Sequence, residues 1–323
     1  MNRLKVIFLP EPHLFEPDGR EVVERVGIRH DISVFEEAES LIPQFAGVEA
    51  VIDFGGSIGT REMMDAATDA RLWQILGTGF DHFDLDYITS KGIPVSNCPG
   101  QFSAVALAET ALMFMLMLCH EYRQAAANFE AGTMYQPTVR ELRGQTLGIL
   151  GFGASGQQLA RRSKPFGMRI MAVDVRTIEP EIIEDIRPDF IGNAEDIDKV
   201  VAESDIVSMH MPLNEETRHV IDYRRLSLMK PSAYLVNVAR GALVDEEALN
   251  EVLMSGKIGG AGIDVFSQEP PDVNLPAYKL PNVVTTPHIA GQTHETMRDR
   301  AACAAENVDR VACGEEPLYR IDQ

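Results

Sequence analysis

Basic residues are scarce in this chain: 29 Lys and Arg stand against 49 Asp and Glu, a formal charge of -20. A surface this acidic repels phosphate backbones and argues against a direct nucleic-acid partner. It says little about a small anion, which feels the local field of its site. Cysteine is sparse too, at Cys98, Cys119, Cys303 and Cys313, with no C-x-x-C pair. That spacing offers neither a disulfide framework nor a structural zinc site, and it fits a reducing compartment, the cytoplasm. Cys98 and Cys119 flank or sit in apolar runs and read as core thiols. No segment reaches the ~20 apolar residues of a membrane span, so no membrane partner is expected. The most apolar one, Ala104 to Cys119, is interrupted by Glu109 and Thr110 and reads as a buried helix. Met1–Leu9 lacks the pattern of a signal peptide, because its short apolar run ends on Pro10-Glu11-Pro12.

What is present is a globular composition, 45% hydrophobic and 24% charged, over 323 residues. At roughly 100–200 residues per domain, two domains are expected. Short β-rich apolar runs alternate with helical stretches such as Arg61–Thr68. The first series of strands reads Val6–Leu9, Ser33–Phe35, Val51–Phe54, Gln74–Leu76 and Val95–Asn97. The second reads Leu147–Leu150, Ile170–Val173, Phe190–Ile191, Ile206–His210, Tyr234–Val238, Gly262–Val265 and Val283–Thr286. Such alternation implies parallel strands with crossover helices, an α/β protein. One long, largely buried helix is expected from Ser103 to about Phe129, and a last one from Thr293 to Cys313. Residues 103–289 then form one domain, and residues 1–102 and 290–323 a discontinuous second. The chain stops soon after the last helix, so no regulatory domain is expected to follow.

The run Gly151-Phe-Gly153-Ala154-Ser155-Gly156 carries G-x-G-x-x-G between a strand and a helix. Gly151 permits a tight turn, Gly153 lets the backbone approach a pyrophosphate, and Gly156 lets helix and strand pack closely. The amides of Ala154 and Ser155 open the helix and face the phosphates. A glycine-rich βα turn also occurs without a ligand, so the motif alone is weak. Asp174 strengthens it: it ends the next strand, about 20 residues on, where an acidic side chain accepts the adenosine ribose 2′-hydroxyl. A carboxylate there repels a 2′-phosphate and favours NAD over NADP; Arg176, two residues later, argues the other way.

Three further segments end strands with chemistry-bearing residues. Asn237-Val238-Ala239-Arg240-Gly241 places a guanidinium at a strand end, where it can hold a carboxylate by two hydrogen bonds. Asp264-Val-Phe-Ser-Gln-Glu269-Pro270 adds two carboxylates, and Pro287-His288-Ile-Ala-Gly291 an imidazole. Each alone has an ordinary structural reading: an ion-pair arginine, a loop glutamate, a core histidine. Together they match what hydride transfer to a keto acid needs besides the nicotinamide: a grip on the carboxylate, a polariser of the carbonyl and a proton donor. Histidine, with an ordinary pKa of roughly 6.5, suits the donor. A neighbouring carboxylate favours the imidazolium, and Glu269 is the candidate. Arg240 suits carboxylate binding and carbonyl polarisation.

These segments resemble the N-x-A-R-G, D-V-F-x-x-E-P and P-H-x-A-G signatures of the D-isomer-specific 2-hydroxyacid dehydrogenases, in the same order and spacing. Lys230-Pro231 and Met209-His210-Met211-Pro212-Leu213 with Thr217 are similar to that family as well. The resemblance implies a Rossmann-type doubly wound parallel sheet at 103–289 that binds NAD. It also implies a flavodoxin-like substrate domain at 1–102 and 290–323, and a homodimer through the NAD domains. The implied catalytic set is Arg240, Glu269 and His288. Asp264 would hold the nicotinamide carboxamide, and His210, Val238, Ala239 and Gly291 would lie along the cofactor.

Leu76-Gly77-Thr78-Gly79-Phe80-Asp81 and Phe54-Gly55-Gly56-Ser57 resemble the family's two substrate loops, with Gly56, Ser57 and Gly79 beside Arg240 and His288 as substrate contacts. Glycines there bring amides close to an anion, though both segments also read as ordinary strand-end turns. Phosphoglycerate dehydrogenases of the family carry arginines in these loops; this chain has Gly56 and Ile75. Burying a phosphate without cations is costly, so a small non-phosphorylated 2-keto acid such as glyoxylate or hydroxypyruvate is expected. A second departure, Ala154-Ser155 where many relatives have arginine and isoleucine, should weaken cofactor binding modestly. The alternatives are a D-3-phosphoglycerate dehydrogenase, a formate or phosphite dehydrogenase, and an NAD(H)-sensing corepressor-like binding protein on the same fold.

Overall fold

The computed structural model describes residues 2–11, 16, 19–55 and 59–323. The chain divides into two compact units, residues 1–102 with 292–323, and residues 103–291. In the first unit the strands are β1 (Lys5–Leu9), β2 (Asp31–Val34), β3 (Ala50–Asp53), β4 (Trp73–Ile75) and β5 (Val95–Ser96). They form one sheet in the order β2-β1-β3-β4-β5, paired in parallel throughout. This is the 2-1-3-4-5 order of a flavodoxin-like fold. All but the edge strand β2 are buried on both faces, by apolar residues such as Phe8, Ile52 and Trp73.

The second unit holds β6 (Thr146–Leu150), β7 (Arg169–Val173), β8 (Phe190–Gly192), β9 (Ile206–Met209), β10 (Tyr234–Asn237), β11 (Gly260–Ile263) and β12 (Val283–Thr285). Their order is β12-β11-β10-β9-β6-β7-β8, again all parallel. The order reverses beside β6, which makes a doubly wound Rossmann sheet with its switch point at the glycine motif.

Register positions the site. Leu150 pairs with Val173 and with Met209, Met209 with Asn237, Asn237 with Ile263, and Ile263 with Thr285. The next residue of each strand therefore falls in one row along the carboxyl edge: Asp174, Gly151, His210, Val238, Asp264 and Thr286.

Two expectations are corrected. The helix read from Ser103 to Phe129 is two helices, Ala104–Cys119 and Tyr122–Glu130, bent by 56°. Glu121 takes a left-handed conformation (φ 43°), which ends the i to i−4 hydrogen-bond series. Arg123 then ties the second helix to the carbonyls of Tyr278, Leu280 and Val283. The first helix buries eight residues in the unit's core; the second buries none. Among the described residues no single helix is long and apolar enough to cross a membrane. The strand read as Gly262–Val265 begins two residues earlier, at Gly260. Its glycines hide it from a β-propensity reading, yet packing demands them: a Cβ on Gly262 would sit 2.6 Å from Phe114 Cβ.

Candidate active site

The site grows outward from Asp264, fully buried at the end of β11. Its carboxylate accepts from the Thr286 hydroxyl (2.5 Å) and from the amides of Ile289 and Ala290 (2.9 Å each). The Asp264 carbonyl accepts from the His288 amide at 2.8 Å. These bonds fold the segment after β12 back over β11 and hold His288 in a left-handed conformation, φ 54°. Such backbone strain in a non-glycine residue persists only where its surroundings over-determine it.

Held this way, His288 Nδ1 meets Glu269 Oε2 at 2.7 Å. Burial pushes the Glu269 carboxyl up. The hydrogen bond and charge of His288, the Phe266 amide and the Arg240 charge more than offset that, and its pKa lies below the ordinary value. The loop bearing Glu269 also fixes Arg240. A Cβ on Gly241 would fall 1.9 Å from the Phe266 carbonyl carbon, so only glycine lets the two strand-end loops touch. Asn237 shapes the arginine's turn, donating to the Arg240 carbonyl (2.8 Å) and accepting from the Ala239 amide (3.1 Å). Arg240, Glu269 and His288 are thus brought together within one unit.

The glycine motif fits a dinucleotide. Gly151 (φ 95°) lies so close to β9 that a Cβ would sit 2.6 Å from the His210 carbonyl. A Cβ on Gly156 would sit 2.3 Å from the Gly151 carbonyl oxygen. At Gly153, by contrast, a Cβ would meet only Arg176 Nη2, at 3.5 Å, which leaves an open face at the start of the helix Ala154–Ser163. His210 bridges Ser155 Oγ (3.0 Å) and Ser208 Oγ (2.9 Å), and burial holds its pKa down to about 3, so the ring is neutral. Asp174 accepts from the Phe152 amide at 2.8 Å and from the amide and guanidinium of Arg176 at 2.9–3.0 Å. Val238 and Ala239 follow β10, and Gly291 closes the unit.

Gly79 lies in the other unit, in the turn after β4. Gly56 and Ser57 fall outside the described residues. Ile75 is fully buried in the core of that unit. Sequence reasoning missed the part played by Thr286 and Asn237, whose only signal was their place at strand ends beside Asp264 and Arg240. It also gave Arg176 no bond to Asp174.

The model for the NAD binding domain of the D-isomer specific 2-hydroxyacid dehydrogenases matches residues 112–290. A glyoxylate reductase from Thermococcus litoralis is 37% identical over 292 residues, 88% of this chain and 86% of that protein. A D-3-phosphoglycerate dehydrogenase from Methanocaldococcus jannaschii is 34% identical over 92% of this chain, which spans only 56% of that relative's length. The solved D-lactate dehydrogenase from Aquifex aeolicus, complexed with NAD and lactic acid, superposes with a TM-score of 0.84 at 27% identity, over 98% of this chain and 99% of that one. The chain belongs to the D-isomer specific 2-hydroxyacid dehydrogenase family, and its nucleotide cofactor is an NAD(P) dinucleotide.

Replacing Asp264 by Asn puts a donating NH2 against at least one of the donors Thr286, Ile289 and Ala290. Stability falls by about 1–3 kcal/mol in urea titration and turnover drops with it. Unchanged stability would remove Asp264 as the anchor of the His288 segment.

Proposed function

We propose that this protein reduces a small, non-phosphorylated 2-keto acid of the glyoxylate or hydroxypyruvate type to the D-2-hydroxy acid with NADH. The observation that carries the reading is the 2.7 Å His288–Glu269 pair with Arg240 beside it, on the carboxyl edge of a sheet whose glycine turn fits a dinucleotide. The bound cofactor supplies the hydride that reaches C2. Arg240 holds the substrate carboxylate and polarises the C2 carbonyl. His288 gives its proton to the carbonyl oxygen, and Glu269 stabilises the imidazolium until it does. In oxidation the same nitrogen takes the proton back. Residues 103–291 form the cofactor domain. Residues 1–102 with 292–323 form the substrate domain, with Gly56, Ser57 and Gly79 as its substrate contacts. The buried Ile75, where an arginine would be needed to hold a phosphate, supports a non-phosphorylated acid. Asp174, 8% exposed against 60% for Arg176, supports a preference for NADH over NADPH.

The cofactor unit exposes Phe129, Met134 and Tyr135 at 80, 64 and 96%. Large apolar groups left bare in one segment favour association, and we assign a homodimer through this unit. Sedimentation of Phe129→Asp with Tyr135→Asp should give monomer where the native protein gives dimer; monomer in both removes the assignment. The four free thiols support a cytoplasmic location.

Assay of NADH and NADPH oxidation with glyoxylate, hydroxypyruvate and 3-phosphohydroxypyruvate tests the reading. Turnover of the first two with NADH is expected, and His288→Ala should lower kcat on the order of 10²–10⁴-fold while NADH still binds. Turnover of the phosphorylated acid alone would overturn the substrate class, and binding of NADH without any keto-acid turnover would leave a sensor.

Glu269→Gln removes the charge that favours the imidazolium. The Glu269 carboxyl is held below its ordinary pKa, so the pair breaks only in acid, and the acid limb of the pH profile for reduction should vanish in the variant. An unmoved limb would dissolve the pair.

A further inference from the structure

The loop that carries Glu269 is exposed, yet it has to hold a carboxylate in one direction. Ser267, Gln268 and Glu269 all face solvent. The loop's own bond to Glu269 runs from the Phe266 amide to Oε1 at 3.1 Å, so it ties the carboxylate only to backbone of the same loop. Exposed loops with few buried contacts are the mobile parts of a fold. The Phe266–Ser267 backbone therefore needs a hold from outside the loop, because both sides of the site depend on it. Glu269 hangs from the Phe266 amide, and the Gly241 turn bearing Arg240 lies against the Phe266 carbonyl.

Glu246 supplies that hold. It opens the helix Glu246–Met254, whose cap Asp245 accepts from the Ala248 amide at 3.1 Å, and an anion suits a helix start. Its two oxygens are divided: Oε2 accepts from the Ser267 hydroxyl and Oε1 from the Tyr278 hydroxyl. Tyr278 is a firm anchor. It is 9% exposed, its ring meets the Phe266 ring edge-on at 5.6 Å, and its carbonyl accepts from Arg123 at 3.1 Å. Burial and the Glu246 hydrogen bond push the Tyr278 hydroxyl's pKa up, so it stays a donor. Phe266 is thus gripped twice, by Tyr278 through its ring and by Glu246 through Ser267. Hydrogen bonds to an ionised acceptor are roughly twice as strong as neutral ones. A cavity lined by Asn237, Gly241, Glu246, Phe266, Ser267 and Tyr278 lies against this junction. It leaves the loop room to relax once the grip is lost, so packing alone does not fix it.

We infer that Glu246 is a positioning residue for the His288–Glu269 pair: by holding Ser267 and Tyr278 it fixes the Phe266 amide that aims Glu269 and the backbone on which the Arg240 turn rests. This rests on the reading above, in which His288 delivers the proton and Glu269 stabilises the imidazolium. Burial raises the Glu269 pKa, and the groups facing it, His288, the Phe266 amide and Arg240, more than offset that. Without Glu246 the amide drifts from Oε1, one of those groups is lost, and the carboxyl pKa rises. Loss of the Glu246 charge by itself acts the other way, since a neighbouring carboxylate disfavours ionisation of a second. Positioning and through-space charge therefore give shifts of opposite sign.

The test compares Glu246→Ala and Glu246→Gln with the native protein, using NADH and glyoxylate. Glutamine keeps a carbonyl oxygen and an NH2, and hydroxyls both donate and accept, so it can hold Ser267 and Tyr278 without charge. Glu246→Ala should lower kcat on the order of 10–10²-fold, leave KM for NADH within about threefold, and move the acid limb of the pH profile to higher pH. Glu246→Gln should keep kcat within about threefold and show no upward move. Native kcat in Glu246→Ala, a limb that moves to lower pH, or a glutamine variant as impaired as the alanine one overturns the proposal. Ser267→Ala and Tyr278→Phe lose one bond each and should add nothing to Glu246→Ala when combined with it; additive losses overturn the shared route. A readout apart from turnover separates this role from the reductase reading. In the NADH-loaded protein, the carbon-13 carboxyl signal that Glu269→Gln removes should titrate at higher pH in Glu246→Ala and Tyr278→Phe than in the native protein. Equal midpoints overturn the positioning role even if a keto acid is reduced, and raised midpoints sustain it even if none is. Tyr278→Phe carries this arm alone if Glu246→Ala fails to fold.

Discussion

One buried carboxylate organises the carboxyl edge of the cofactor unit. Asp264 has no exposed surface and would be costly there unless its oxygens were filled. Filling them takes a hydroxyl and two amides from the segment after the neighbouring strand. The chain must therefore turn back over β11, and in turning it strains His288 into the left-handed region and aims the ring at Glu269. The His288–Glu269 pair is thus a consequence of satisfying a buried carboxylate at a neighbouring strand end. The same carboxylate cannot easily be spared, since each of its three bonds fixes backbone on which the ring depends.

Around this anchor, contact between loops is made possible by absent side chains. Gly241 lets the turn bearing Arg240 lie on the Phe266–Ser267 backbone, and Gly151 lets the phosphate turn lie on the backbone after β9. In both places a Cβ would fall within 2.6 Å of main-chain atoms, which cannot move aside as a flexible side chain can. Parallel register then does the rest: neighbouring strands end level, and their next residues share one edge. The chemistry is concentrated there because the strand amides and carbonyls are already paired within the sheet. The loops beyond are free to present side chains.

How much of this was legible follows from the physics of each signal. Strands such as β1, β3, β6, β9 and β10 are apolar runs buried on both faces, and such runs announce themselves by composition alone. Gly260–Ile263 did not, because its glycines answer to the Phe114 ring and the Asn282 carbonyl, contacts distant in sequence. The break at Glu121 was invisible for a similar reason. His120 and Glu121 are compatible with a helix, and Arg123 finds its three carbonyls only once β12 is in place. Arg240, Glu269 and His288 stood out because each follows a strand. Asp264 followed one too, but its three bonds are tertiary.

The Asp174–Arg176 pair shows the same division between a fixed and an exchangeable group. Asp174 is nearly buried, and the Phe152 amide aims it from within the glycine turn. Arg176 is largely exposed, so its ion pair is screened and weakly held, as surface pairs are. In the proposed NADH reading, a ribose hydroxyl approaching Asp174 would compete with that exposed guanidinium rather than with the buried amide. Recognition would then rest on the member of the pair that the fold has already oriented.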